Sequence, residues 1–117
     1  MAKNLRPNKT VLECLTEATQ FGATAVAVLL VKKEVGFSVI NRAWKGGGFD
    51  YWLGHDESLP FQNKARLEIS GILNGSDSNI KTRVKQKIKQ TEPSDGTLPA
   101  YIVVVEFSTP VAEIINK

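Results

Sequence analysis

Three acidic side chains stand where a hydrolytic site could be built: Glu17, Asp50 and Glu68. Asp50 follows Gly46-Gly47-Gly48 and Phe49 at the head of a β-prone run. Glu68 lies further on, inside the alternating run ARLEISGI, and Glu17 sits beside the apolar stripe of a helical segment. If the runs carrying Asp50 and Glu68 pair as neighbouring strands, their carboxylates meet at one edge and repel each other. A divalent cation relieves that repulsion, and hard oxygen ligands with retained waters are what Mg²⁺ prefers. Beside a phosphodiester, Mg²⁺ so held polarises a phosphoryl oxygen and positions a water nucleophile. Each acid also has a structural role open to it. Glu68 can pair with Arg66 or Lys64 on the strand surface, Asp50 can cap the glycine turn, and Glu17 can face solvent.

The second chemical feature is charge. Residues 80–90, IKTRVKQKIKQ, carry Lys81, Arg83, Lys85, Lys87 and Lys89 and no acid, within a chain of net charge +3. The remainder is therefore net negative, and the basic character belongs to this one segment. A focused basic segment suits a local anionic partner: nucleic acid, phosphates or an acidic protein face. A solvated helix face is the alternative. Trp44, Tyr51 and Trp52 flank the glycine turn, where they can stack on bases or pack the hairpin. The glycine run is not a phosphate loop, because no Gly-Lys-Ser/Thr follows and it feeds a strand, not a helix. The single His55 excludes a multi-histidine metal site, and Cys14, the one cysteine, is expected to pack on its helix.

The elements that must position these residues follow from pattern. Thr10 and Glu13 form a T-x-x-E capping box. Val11, Leu12, Leu15, Ala18, Phe21, Ala25, Val26, Leu29 and Leu30 then recur at helical spacing, with Lys32, Lys33 and Gly36 as the stop. From Gly22 onward this helix is apolar nearly all round and is expected to be buried against a sheet. Residues 37–44 and 49–53 read as a hairpin across the glycines, 54–64 as a loop containing Pro60, and 65–72 as a strand with Leu67 and Ile69 on one face and Arg66, Glu68 and Ser70 on the other. Asp77 or Ser78 is expected to cap the basic helix, whose stripe is Ile80, Val84 and Ile88. Residues 93–96 read as a loop. Residues 101–107, YIVVVEF, form a central strand, with Glu106 at an edge or locally paired, and Pro110 is expected to open a final short helix. The order is α-β-β-β-α-β-α: an α/β class with a mixed four-stranded sheet flanked by helices, in one domain over 1–117.

Bulk properties bound the rest. At 42% hydrophobic and 23% charged residues the chain is neither disordered nor low-complexity. One cysteine forms no internal disulfide, no signal-type segment opens the chain, and the apolar run 23–31 is about half a bilayer span. These readings place the protein in the cytoplasm, with no membrane partner.

The α-β-β-β-α-β order, with Gly48-Phe49-Asp50 at the second strand and Arg66-Leu67-Glu68-Ile69-Ser70 in the third, resembles the restriction-endonuclease-like superfamily, the PD-(D/E)xK nucleases. The layout is most similar to the small archaeal Holliday-junction resolvases, which also carry an acid in the first helix. The resemblance covers residues 10–108 and is topological. It implies Mg²⁺ ligands at Asp50 and Glu68, a helix acid at Glu17, a nucleic-acid substrate and a homodimer, since cutting two strands needs two sites. The family's lysine, two residues after the second acid, is Ser70 here, and a neutral hydroxyl cannot stabilise charge developing on a phosphate. Lys64 or Arg66 is expected to substitute, or a helix cation, Lys81 or Lys85. Without substitution the fold survives as a binding module. The competing reading is a non-catalytic accessory protein that docks an acidic partner through helix 80–90.

Overall fold

The computed structural model describes residues 10–44, 46–55, 63–96 and 98–117. Helix α1, Val11–Val35, begins where its capping box requires: the Glu13 amide donates to the Thr10 hydroxyl, and the Thr10 amide to the Glu13 carboxylate. It stops at Gly36, whose φ of +83° is the left-handed conformation that glycine adopts without strain. Strands β1 (Ser38–Arg42) and β2 (Tyr51–Gly54) form the expected antiparallel hairpin, followed by β3, Ala65–Ile72. Most of the loop expected at 54–64, Pro60 included, lies outside the described residues. Helix α2, Asp77–Gln90, is capped by Ser76, one residue before the expected candidates, with Asn79 completing the box. A 3₁₀ turn over Glu92–Ser94 leads to β4, Ala100–Glu106.

The last element corrects the sequence reading. Residues Val111–Asn116 form a strand, β5, not a helix, and the sheet has five strands in the order β1-β2-β3-β4-β5. The cause lies in Glu106. Fully buried at the end of β4, it accepts hydrogen bonds from the backbone amides and hydroxyls of Ser108 and Thr109 and from the Gly75 amide. The turn organised around it sends the chain back along β4, pairing Glu106 with Val111 through to Tyr101 with Asn116. That pairing satisfies a sheet edge that a helix would have left open.

The result is a mixed α/β fold: β3 and β4 are parallel across the α2 crossover, and the other pairs are antiparallel. Helix α1 packs through Ala23, Ala27 and Val31 on Leu67, Ile69, Val103 and Val105. Helix α2 packs through Ile80 and Val84 on Ile102 and Val104, with Ile72 in the same cluster. The alternation of β3 therefore holds as read. Its polar row, however, is covered: Arg66, Glu68 and Ser70 are all buried. Helix α1 departs from expectation in the opposite sense, since Phe21 and Leu29 on its outer face are each 72% exposed and Cys14 is exposed as well.

Candidate active site at the open edge of β3

Strand β2 is short and pairs with β3 only as far as Tyr51↔Leu67. Beyond Leu67 the β3 edge has no strand partner on that side among the described residues, and its amides and carbonyls are satisfied otherwise. Side chains supply them. The Ile69 amide donates to Asp50 Oδ2 at 2.8 Å, and the Asp50 amide donates to the Leu67 carbonyl at 2.8 Å. The Gln20 amide group from α1 donates to the Ile69 carbonyl and accepts from the Gly71 amide, both at 3.2 Å. From α2, Arg83 Nη1 donates to Ser70 Oγ at 2.6 Å and to the Gly71 carbonyl at 3.3 Å. The second half of β3 thus gathers an acid, an amide and a guanidinium along a single backbone edge.

Glu68 lies in the middle of this arrangement and is 1% exposed. Burial, then the hydrogen bond and charge of Asp50, push its carboxyl up to about 8; the Lys87 ammonium and the Ile69 amide oppose the shift. Burial and the Asp50 carboxylate together favour the protonated form of Glu68. The side-chain amide of Gln90 donates to Glu68 Oε2, and Lys87 Nζ stands 3.7 Å from the same oxygen. What brings the glycine turn to this point is Gly48. Its φ is +77°, and a Cβ there would meet the Gln90 carbonyl oxygen at 2.0 Å, so only glycine lets the turn lie against the end of α2.

Two clefts flank the pair. One, of about 470 Å³, is lined by Arg42, Trp44, Asp50 and Gln90 among others. The second, of about 520 Å³, includes Gln20, Ser70, Gly71, Arg83 and Lys87. A phosphate group entering either would meet a cation.

The residues singled out from the sequence are sorted by this geometry. Asp50 and Glu68 come together as expected. Glu17 lies exposed in the first half of α1, and among the described residues no three acids, histidines or cysteines are grouped to hold a metal, so it does not complete the pair. Arg66 is not the displaced cation. Its guanidinium is buried and donates to the carbonyls of Leu98 and Thr91, to Ser94 and to Asp95, tying the loop after α2 to the sheet. Lys64 is exposed at the start of β3, where its amide donates to the Leu53 carbonyl. The cations beside the site come from α2, as anticipated, but they are Arg83 and Lys87 and not Lys81 or Lys85. The helix divides its charge. Arg83, Lys87 and Gln90 follow one another at steps of four and three and turn toward β3; Lys81, Lys85 and Lys89, at steps of four, are exposed. This division was present in the sequence as position relative to the stripe Ile80-Val84-Ile88, which Arg83 and Lys87 immediately precede. Nothing in the sequence indicated Gln20, whose role depends on how far β2 extends.

Asp50 and Glu68 are the two carboxylates here that could hold a hard divalent ion. Asp50 and Glu68 would hold it through carboxylate oxygens, with waters completing the shell, as Mg²⁺ prefers. Comparison of the chain with protein-family models, with curated proteins and with solved structures found no match in any of the three.

Proposed function

We propose that this chain is a PD-(D/E)xK-type nuclease that hydrolyses phosphodiester bonds in nucleic acid with Mg²⁺. The observation that carries the reading is the meeting of Asp50 and Glu68 at an open strand edge, with a guanidinium held at Ser70. Asp50 and Glu68 hold the ion, which supplies a polarised phosphoryl oxygen and a more acidic water. Arg83, anchored on the Ser70 hydroxyl where the family carries its lysine, faces the charge that develops on the phosphate. Lys87 lowers the cost of ionising Glu68. Gln20 and the Ile69 amide fix the edge so that these groups need little reorganisation. The exposed Lys81, Lys85 and Lys89 track the backbone of the nucleic acid, adding affinity that falls steeply with salt and little sequence discrimination.

The test is cleavage of labelled single- and double-stranded substrates with and without Mg²⁺. Asp50→Ala and Glu68→Ala should each abolish Mg²⁺-dependent cleavage while binding persists. Substituting Lys81, Lys85 and Lys89 together by alanine should weaken binding and reduce the slope of log affinity against log salt by about one per lysine.

The second reading, an accessory protein docking an acidic partner, is favoured by one feature: that lysine row is exposed, whereas Arg83 and Lys87 are turned toward the carboxylates. It predicts no cleavage in any divalent metal, and an acidic protein co-purifying with the chain and released by charge reversal at Lys81 and Lys85.

A further inference from the structure

Helix α1 has a second face that the fold does not use. Val11, Cys14, Ala18, Phe21, Ala25 and Leu29 recur at steps of three and four, and every one is exposed. Val11, Phe21 and Leu29 are between 72% and 74% exposed. The stripe runs about 27 Å along the helix, at roughly 1.5 Å per residue. Its spacing is that of a helix-pairing seam, with alanines where backbones approach and larger side chains between them. Monomers seldom leave a continuous apolar stripe of this length in water.

We infer that α1 pairs with α1 of a second copy, antiparallel, about a two-fold axis near Phe21. Charge selects both the partner and the direction. Glu13 and Glu17 make the start of the helix acidic, and in the last turn Lys32 and Lys33 outweigh Glu34. An antiparallel pair sets acid beside base at both ends and opposes the two helix dipoles, and one self-complementary patch then serves both chains. A parallel pair would set like beside like. The helix is also long and apolar enough, by length and composition, to cross a membrane. Its inner face, however, is occupied: Ala23, Ala27 and Val31 are fully buried against the sheet. A second protein surface matches the one remaining stripe.

The pairing is independent of the proposed chemistry and is tested on the purified full chain without substrate. Sedimentation at tens of micromolar should give twice 12.8 kDa. Phe21→Glu, or separately Leu29→Glu, should weaken association at least 100-fold and return the mass to 12.8 kDa with unchanged circular dichroism. Direction is read by oxidation. Leu29→Cys should cross-link through Cys14 of the other copy, wild type should not cross-link, and the Cys14→Ala/Leu29→Cys double variant should lose the product. A wild-type monomer, a dimer indifferent to both glutamate variants, or a Cys14–Cys14 cross-link in wild type would each overturn the inference. So would a monomer that binds phosphatidylcholine vesicles through Phe21.

Discussion

At Glu68 two opposing forces meet. Burial and the neighbouring Asp50 charge favour the neutral acid, while Lys87 favours the carboxylate, and burial is the larger. The consequence for stability has a definite sign. With its pKa raised from 4.5 to about 8, Glu68 contributes stability that is fully present below pH 4.5 and is lost as pH rises through 8. In chelator, the urea-unfolding free energy of wild type relative to Glu68→Gln should fall across that window. A difference that is flat or rising with pH would remove the raised Glu68 carboxyl from the account. That Asp50 and Glu68 would meet was legible in the sequence, because they stand at the head of one strand-forming run and inside the next. The raised pKa of Glu68 was not, since it depends on α2 covering the polar row of β3.

At the level of elements, α2 sets Arg83 on the Ser70 hydroxyl, and in the proposed nuclease this would do from the helix what the PD-(D/E)xK lysine does from within the strand. Arg83→Ala should lower cleavage by about 10²–10³-fold, the typical loss of a preorganised charge-stabilising group. Adding Ser70→Lys to that variant should recover part of the rate, since an amine then reaches the phosphate from the strand. No recovery together with an unaffected Arg83→Ala enzyme would take Arg83 out of the chemistry. The β4–β5 turn makes a separate case. Hydrogen bonds from Ser108 and Thr109 hold the Glu106 carboxyl down at about 2, so its contribution is present above pH 4.5 and lost as pH falls through 2. Glu106→Gln should lower the urea midpoint at pH 7, and the deficit should shrink as acid is approached. The expectation of a final helix failed here for a physical reason. Val111, Ile114 and Ile115 suit either element, and the choice was made by an open β4 edge and a buried acid three residues before Thr109. Helices α1 and α2 were readable because caps and apolar spacing are local signals; strand count depends on a long-range pairing.

Over the whole molecule, the sheet separates two tasks. One face and the β3 edge hold the acids, with α2 above them; the outer side of α1 presents an apolar stripe. The class, one mixed sheet with helices packed on it, was recoverable from element order alone. The exposed stripe was not, because apolar residues all round a helix read as burial unless the width of the sheet beneath is known. The central claim, that Asp50 and Glu68 form a divalent-cation site, is most directly tested by calorimetric titration of Mg²⁺ into the purified protein at pH 6, 7 and 8.5. The account predicts one site per chain whose affinity rises with pH as the Glu68 proton is displaced, and which is lost in both Asp50→Asn and Glu68→Gln. Binding that persists in both variants, or no binding to wild type at pH 8.5, would contradict it.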